Sequence, residues 1–182
     1  GAFVELFGWP TVSVHFGDAM STLELGVPAI SPGQLRRAEE VANALVAENR
    51  PVTVSYEDAA AVASRLRKAP ARTGTLRIVT IDGLDVSACG GTHVRTTGEI
   101  GAILLRRAEK LRENTRVEFL CGARAIRRAR ADYEALSDIA ARLSAGIDEV
   151  APLVQAQAEE VKAIANAHRK LVEEVAGHRA RA

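Results

Sequence analysis

The sequence predicts an α+β protein in which a mostly antiparallel sheet with packed helices is followed by a C-terminal helical hairpin or coiled coil. Three observations support this: short stretches with a two-residue apolar period, one helix with a complete start signal, and a heptad pattern after residue 124. The chain has 182 residues, of which 47% are hydrophobic and 26% are charged, as is typical of a folded domain with an appendage. We expect one domain over residues 1–124 and a helical linker or dimerisation segment over residues 125–182.

Strand-like stretches recur along the first two thirds of the chain. The first alternates Val12 and Val14 with Ser13 and His15, so the two polar side chains share one face. Asp82-Gly83 is a hairpin-type pair between two later stretches. The expected strands cover residues 11–16, 21–25, 51–56, 75–81, 84–87, 100–106 and 115–121, with an exposed polar connection over 109–114.

The helix signals are clearest at residues 31–49. Ser31 is the expected N-cap, Pro32 the first helical residue and Gln34 the partner that completes a capping box. Residues 1–8 read as the end of a helix that stops at Gly8. A further helix is expected over 57–68, because acidic residues stand at its start and basic residues at its end, and a loop is expected over 69–74.

A heptad pattern of apolar or small residues runs from Tyr133 to Val175. The residues at 144–146 and Pro152 interrupt it, so we expect one helix to end near Leu143 and a second to run from about Asp148 to Ala176. An antiparallel hairpin and a dimerising coil both fit the pattern. A homodimer through the C-terminal helices is therefore one expected assembly.

Cys89 and His93 stand four residues apart in a glycine-rich stretch. If this segment turned as a helix, a thiolate and an imidazole at this spacing would share one face, and such a donor pair suits Zn²⁺. The alternative is a structural cysteine in a glycine-rich turn with an unrelated histidine nearby. The spacing by itself does not decide between these interpretations.

The wider sequence resembles a known family. Residues 89–94 read C-G-G-T-H-V and residues 97–101 read T-G-E-I-G, which is similar to the signature of the second additional domain of alanyl- and threonyl-tRNA synthetases and of free-standing alanyl-tRNA editing proteins. The stretches at 11–17 and 21–25, the helix start at 31–34, and R-V-E-F at 116–119 followed by Gly122 fit the same family in the same order. The resemblance covers residues 1–124.

This resemblance implies a zinc-dependent deacylase that hydrolyses mischarged aminoacyl-tRNA(Ala), chiefly seryl- and also glycyl-tRNA(Ala), with the tRNA(Ala) acceptor end as its partner. It also implies that Cys89 and His93 are metal ligands and that an H-x-x-x-H pair on an upstream helix completes the site. The sequence has no such pair, and its one methionine is Met20. We therefore expect two further ligands before Gly1, in a truncated chain that is inactive alone.

Two alternatives remain open for the function. The first is a family member that has lost its metal and serves as a non-catalytic tRNA-binding or dimerisation module. The second is an unrelated structural domain that zinc stabilises.

Five residues are expected to contact substrate. Ser13 and His15 lie on the strand that the resemblance places at the site, and a structural His15 is the alternative. The backbone amides of Gly90 and Gly91 can approach a carbonyl or phosphate closely, or the two glycines only permit positive φ. Thr92 is expected to donate to the ester, or else to cap the following turn.

Basic residues are concentrated directly after this motif. Residues 106–130 contain nine Lys and Arg against three acidic residues, although the whole chain has a net charge of +1. Such a patch suits phosphate contacts, and a solvated helix face is the alternative. The expected tRNA-binding residues are Arg106, Arg107, Lys110, Arg112, Arg124, Arg127 and Arg128.

Composition also bounds the location of the protein. The sequence has no apolar run of about 18 residues, so no membrane partner is expected. Two cysteines, Cys89 and Cys121, do not make a disulfide framework, and a cytoplasmic location is expected.

Overall fold

The computed structural model of the chain describes residues 1–67 and 73–179. The chain forms two compact units, residues 1–127 and 128–182. The helices are α1 (Ala2–Phe7), α2 (Pro32–Ala47), α3 (Ala59–Val62), α4 (Ala123–Arg142) and α5 (Val150–Arg179); the strands are β1 (Thr11–Phe16), β2 (Ser21–Leu25), β3 (Val52–Asp58), β4 (Thr75–Ile81), β5 (Asp85–Ala88), β6 (Ile103–Leu111) and β7 (Asn114–Cys121). The strands pair antiparallel in two sheets, ordered β1-β2-β7-β6 and β3-β4-β5, so the predicted α+β class is confirmed.

The core of the first unit lies between the four-stranded sheet and helices α1 and α2. Alternation along β2 and β7 sends Leu25 and Val117 to the covered face, where they pack with Phe3 of α1 and Ala38 of α2. Helix α2 begins with the predicted capping box, because the side chains of Ser31 and Gln34 each accept from the other's backbone amide. Sequence signals and core packing therefore agree over this helix.

Helix α2 also closes one edge of the sheet. The carboxamide of Asn43 donates to the carbonyl of Ile103 and accepts from its amide, both at 2.8 Å. One turn earlier, Glu39 accepts from the amide of Leu105 at 2.5 Å. These side chains replace a neighbouring strand at the start of β6, where an open edge would leave backbone groups unpaired.

Strand β1 forms the other edge of the same sheet. All of its residues are exposed, and Phe16 is 77% exposed. The rings of Phe16 and Phe119 are nevertheless in an edge-on contact, with 6.2 Å between their centroids. The pairing with β2 shifts between Thr11 and Ser13, and beyond this bulge Ser13 lies opposite Glu24 and His15 opposite Thr22. Ser13 and His15 therefore share one sheet face, as their alternation predicted.

The helix predicted over 57–68 is wrong over most of its length. Strand β3 continues to Asp58, whose carboxylate caps the one-turn helix α3 by accepting from Ala60 N at 2.9 Å. Pairing with β4 as far as Thr75 extends the strand, and this long-range contact outweighs the local charge pattern. Residues 68–72, which include the predicted helix end and most of the predicted loop, lie outside the described residues.

The sixth predicted strand is displaced toward the C-terminus. Residues 97–100 form a short 3-10 helix and β6 runs from Ile103 to Leu111, so the predicted polar connection shrinks to a hairpin turn at Arg112, which has φ of 57°. Within β6, Arg106 and Arg107 form a bulge opposite Glu118. A bulge and charged side chains on an edge strand discourage pairing with another chain.

The second unit contains most of α4 and the whole of α5. A break at residues 143–149, with Ser144 at φ 52° and a 3-10 turn at Ile147–Glu149, separates the helices where the sequence predicted an interruption. Along α5 the apolar seam stays exposed, with Val161, Ile164 and Leu171 between 60% and 67%. Within the described part of this unit, the seam is therefore not buried against α4.

Candidate functional site

The candidate site is the turn that follows β5. Residues 89–94 have no regular secondary structure, so the segment does not turn as a helix, which is the condition for the four-residue spacing to place both side chains on one face. The two predicted ligands nevertheless lie on the same side of Gly91: a Cβ added to this glycine would stand 3.7 Å from Cys89 Sγ and 4.0 Å from His93 Cε1. Cys89 is half-buried and His93 is exposed, so this pair of donors is open to solvent.

The imidazole of His93 has a defined orientation. Its Nδ1 lies 3.0 Å from the carbonyl oxygen of Gly91. Because a carbonyl can only accept, this contact is a hydrogen bond when Nδ1 carries a proton, and in that tautomer Nε2 has the lone pair. A histidine that donates one ring N–H to a backbone carbonyl and keeps the other nitrogen for a metal is the usual arrangement at zinc sites.

The turn is anchored on both sides by backbone pairing. Before it, the amide of Cys89 donates to the carbonyl of Arg77 at 3.1 Å and so extends the β4–β5 ladder by one residue. After it, the amide of Val52 donates to Arg95 O at 2.8 Å, and Thr97 N donates to Arg50 O at 2.9 Å. The turn therefore spans from one edge of the three-stranded sheet to the other.

The T-G-E-I-G segment closes the turn. Buried Thr97 donates its hydroxyl hydrogen to Leu45 O and accepts from Arg50 N. The carboxylate of Glu99 accepts from the backbone amide of Arg95 at 2.9 Å and from its guanidinium at 3.0 Å. The amide contact, and then the guanidinium, lower the pKa of Glu99 below its ordinary value.

The three residues between the predicted ligands are all exposed. Neither Gly90 nor Gly91 has positive φ, so the alternative that these glycines serve backbone strain is wrong. Thr92 does not cap the following 3-10 helix, whose N-cap is Thr96. These residues therefore form a solvent-accessible loop segment between Cys89 and His93.

Ser13 and His15 are placed differently. Ser13 lines an open cleft together with Gly1, Arg67 and Asp85, whereas His15 is not among the residues that line it. Arg67 Nε binds Asp85 Oδ1 at 2.9 Å. Arg67 and Asp85 were missed by sequence reasoning, because an ion pair between a loop and a strand has no signature in local spacing.

The predicted basic residues fall into two groups. Arg106, Arg107, Lys110 and Arg112 lie on β6 and its hairpin turn, with Arg107 paired to Glu109 at 2.7 Å. Arg124, Arg127 and Arg128 lie at the start of α4, where Arg128 pairs with Asp132 at 2.6 Å.

Arg124 forms hydrogen bonds with backbone carbonyls of the first unit. Its Nη1 donates to the carbonyls of Gly17 and Asp18 at 2.9 and 3.0 Å. Its guanidinium therefore holds the β1–β2 turn, and the exposed side chains of Lys110, Arg112 and Arg127 are better placed for an external phosphate.

Cys89 and His93 provide two donors of the types that bind zinc. Among the described residues, no group of three or more His, Cys, Asp or Glu side chains is arranged to hold a metal ion. A thiolate and an imidazole with free Nε2 fit two of the four ligand positions around Zn²⁺ in proteins.

In the part of the chain that the structure describes, no helix is both long and apolar enough to cross a membrane.

Comparison with known proteins shows a family similarity over the middle of the chain. Residues 76–118, which include the turn, strand β5 and most of β4, match the threonyl and alanyl tRNA synthetase second additional domain. This part of the chain is therefore similar to the domain that defines that family.

Relatives match over a longer region. The chain is 30% identical over 176 residues to the alanyl-tRNA editing protein Aarsd1 of Danio rerio, covering 94% of the chain and 43% of that protein. It is 33% identical over 165 residues to an alanine–tRNA ligase of Korarchaeum cryptofilum, covering 87% of the chain and 18% of the ligase. The chain is thus related to alanyl-tRNA editing proteins and alanine–tRNA ligases over most of its length, and it spans less than half of each of these relatives.

Proposed function

We propose that this chain is part of an editing deacylase that hydrolyses aminoacyl-tRNA(Ala) mischarged with serine or glycine. The observation that carries the proposal is the placement of Cys89 Sγ and the His93 ring on one side of Gly91, with Nδ1 held by the Gly91 carbonyl. This turn lies in the domain shared with editing proteins and ligases. A solvent-accessible cysteine–histidine pair with an oriented imidazole is typical of a catalytic zinc site. The alternative interpretation needs a buried structural cysteine, and Cys89 is only half-buried.

We propose that two histidines before Gly1 complete the zinc site. Gly1 shares the cleft with Asp85, at the opposite end of β5 from Cys89. At about 3.3 Å per strand residue, Cys89 lies roughly 13 Å beyond Asp85. A helix of about nine residues spans that length, so an upstream extension of α1 is long enough to reach the turn.

The reaction is ester hydrolysis at the 3′ end of the tRNA. Water adds to the ester carbonyl, the bond from that carbon to the ribose oxygen breaks, and the ribose oxygen takes up a proton. Bound Zn²⁺ supplies polarisation of the carbonyl and a lower pKa for water. The exposed amides of Gly90, Gly91 and Thr92 contact the ester or the terminal phosphate, and Ser13 and His15 contact the amino acid.

A separate editing site is needed because a synthetic site for alanine discriminates weakly against residues that differ by one small group, by about 1–3 kcal/mol. A site with hydrogen-bonding partners for a hydroxyl separates seryl from alanyl esters better. Ser13 and His15, which share one face of β1, are the proposed partners for that hydroxyl.

The test is deacylation of seryl-tRNA(Ala) by the protein extended upstream of Gly1. Changes around zinc ligands cost about 10- to 100-fold, so Cys89→Ala and His93→Ala should each lose about 100-fold or more in rate and should lose bound zinc. Cys121→Ala is the matched control: Cys121 is a half-buried thiol whose pKa is raised by burial, and this variant should keep its zinc. Unchanged rates in both ligand variants would contradict the proposal.

We also propose that the basic residues bind the tRNA acceptor end. Lys110, Arg112 and Arg127 are exposed, and each phosphate contact releases counterions. Binding of tRNA should weaken with salt, and each single change to Ala should reduce the slope of log affinity against log salt by about 1. An unchanged slope in all three variants would favour the solvated-surface interpretation.

The exposed seam of α5 favours a second role, self-association. Val161, Ile164 and Leu171 lie at heptad positions and are solvent-accessible along a 30-residue helix. We propose that two copies pair along this seam, and that the protein works in the cytoplasm, where tRNA charging takes place. A non-catalytic dimerisation module remains the alternative if the zinc experiment fails.

A further inference from the structure

Arg77 contacts the candidate site without being one of the proposed ligands. Its strand, β4, is central in the three-stranded sheet, and its side chain is half-buried. One nitrogen, Nη1, donates to the carbonyl of Cys89 at 2.6 Å and to the carbonyl of Gly91 at 2.9 Å. Two carbonyl groups of the turn therefore accept hydrogen bonds from one cationic side chain of strand β4.

The two carbonyls belong to residues at either end of the Cys-Gly-Gly segment. In a loop without regular structure, few other contacts would fix their directions. Hydrogen bonds from a charged donor are stronger than neutral ones, and here both converge on one nitrogen of a rigid planar group. Arg77 therefore fixes the separation and orientation of the Cys89–Gly90 and Gly91–Thr92 peptide groups.

The carbonyl of Gly91 links Arg77 to His93. This oxygen accepts from Arg77 Nη1 at 2.9 Å and from His93 Nδ1 at 3.0 Å. A carbonyl oxygen has two lone pairs, so both bonds can form together. The position of the Gly91 oxygen thus decides where the imidazole ring lies and which of its nitrogens carries the proton.

We propose that Arg77 is a positioning residue that shapes the Cys89–His93 turn before any metal binds and holds His93 in the tautomer with the proton on Nδ1. The expected effect of Arg77 on metal affinity rests on the function proposed above. Its expected effect on the His93 tautomer concerns this chain alone.

The first test is nitrogen NMR of ¹⁵N-histidine-labelled chain without metal, in mildly alkaline buffer where an imidazole is neutral. In the wild-type chain His93 should show the Nδ1-protonated tautomer, and in Arg77→Met it should become a mixture of tautomers. Arg77→Lys keeps the charge and one compact donor group, so it should lie between the two. Arg65→Met is the matched control, because it removes a cation that pairs with Glu57 of the same small sheet.

The second test is a Co²⁺ titration of the upstream-extended protein, followed by the thiolate-to-cobalt absorption. Arg77→Met should weaken binding by about 10- to 100-fold, the range found for groups that orient metal ligands, and Arg65→Met should not change it. A change of tautomer in a protein that never binds metal would support the positioning role and count against the proposed function.

The amide spectrum shows whether each variant folds. If Arg77→Met is unfolded, the comparison of Arg77→Lys with Arg65→Met decides the question. If folded Arg77→Met or Arg77→Lys keeps the wild-type tautomer and the wild-type Co²⁺ affinity, the positioning role is overturned.

Discussion

At the scale of single residues, Gly91 separates the two proposed ligands. Its φ is not positive and an added Cβ would meet no atom closer than 3.7 Å, so the backbone tolerates alanine. The methyl group would nevertheless lie 3.7 Å from Cys89 Sγ and 4.0 Å from His93 Cε1, where it would crowd a metal bound to both. We expect Gly91→Ala to weaken metal binding by roughly tenfold or more at unchanged melting temperature, measured by Co²⁺ titration and calorimetry.

Gly90 offers the matched comparison for that experiment. An added Cβ at Gly90 would meet no atom within 4 Å, so Gly90→Ala changes the same dipeptide without entering the space between the donors. Equal metal affinity of the two alanine variants would show that the space beside Gly91 is not where a metal binds.

Glu99 gives a pH dependence to the same segment. The amide and guanidinium of Arg95 lower its pKa in the folded state, so its contribution to stability is complete above the unfolded pKa and is lost as the pH falls through the folded value. We expect the Arg95 amide to exchange faster with solvent as the pH falls below the ordinary glutamate range. In Glu99→Gln that acid-induced step should disappear, as judged by amide exchange corrected for its intrinsic pH dependence.

The sequence indicated which residues form the turn but not how they meet. The four-residue spacing would bring the donors together on a helix, whereas here they approach each other through an irregular loop around Arg77. An arginine between the apolar residues Leu76 and Ile78 was a visible signal of a strand position with a special role. Its partners are 12 and 14 residues away, and local periodicity carries no information about them.

At the scale of elements, the contact of α2 with β6 is the most specific. Asn43 satisfies both backbone groups of Ile103, so Asn43→Ala leaves a partly buried donor and acceptor without this partner. We expect a loss of about 1–3 kcal/mol in the free energy of unfolding, measured by urea denaturation. Arg37→Ala removes an exposed ion pair from the same helix and should change stability by less than about 0.5 kcal/mol.

Prediction at this scale succeeded where local and long-range signals agree. The capping box of α2 and the alternation of β1 and β2 correspond to the observed helix and strands. It failed where pairing extended a strand past its local signals, as in β3, and where a bulge lengthened β6 at Arg106 and Arg107. Strand ends depend on the neighbouring strand, which sequence periodicity does not contain.

At the scale of the whole molecule, α5 is a long helix whose apolar seam is exposed along the part that the structure describes. Helical stability in proteins comes mainly from packing of an apolar face, so pairing of two copies would stabilise it. We expect wild-type chain to form dimers whose fraction rises with concentration in sedimentation experiments, and Ile164→Glu to be monomeric. Ala163→Glu places the same charge on a neighbouring residue away from the seam and should remain dimeric; a monomeric wild-type chain would contradict the pairing.

The guanidinium of Arg124 couples two distant parts of the chain. Arg124 lies in the first turn of α4, and its guanidinium donates hydrogen bonds to the carbonyls of Gly17 and Asp18, the residues that directly follow β1. A displacement of the start of α4 is therefore transmitted through one side chain to the strand that carries Ser13 and His15. Force applied to this helix would shift the edge of the four-stranded sheet.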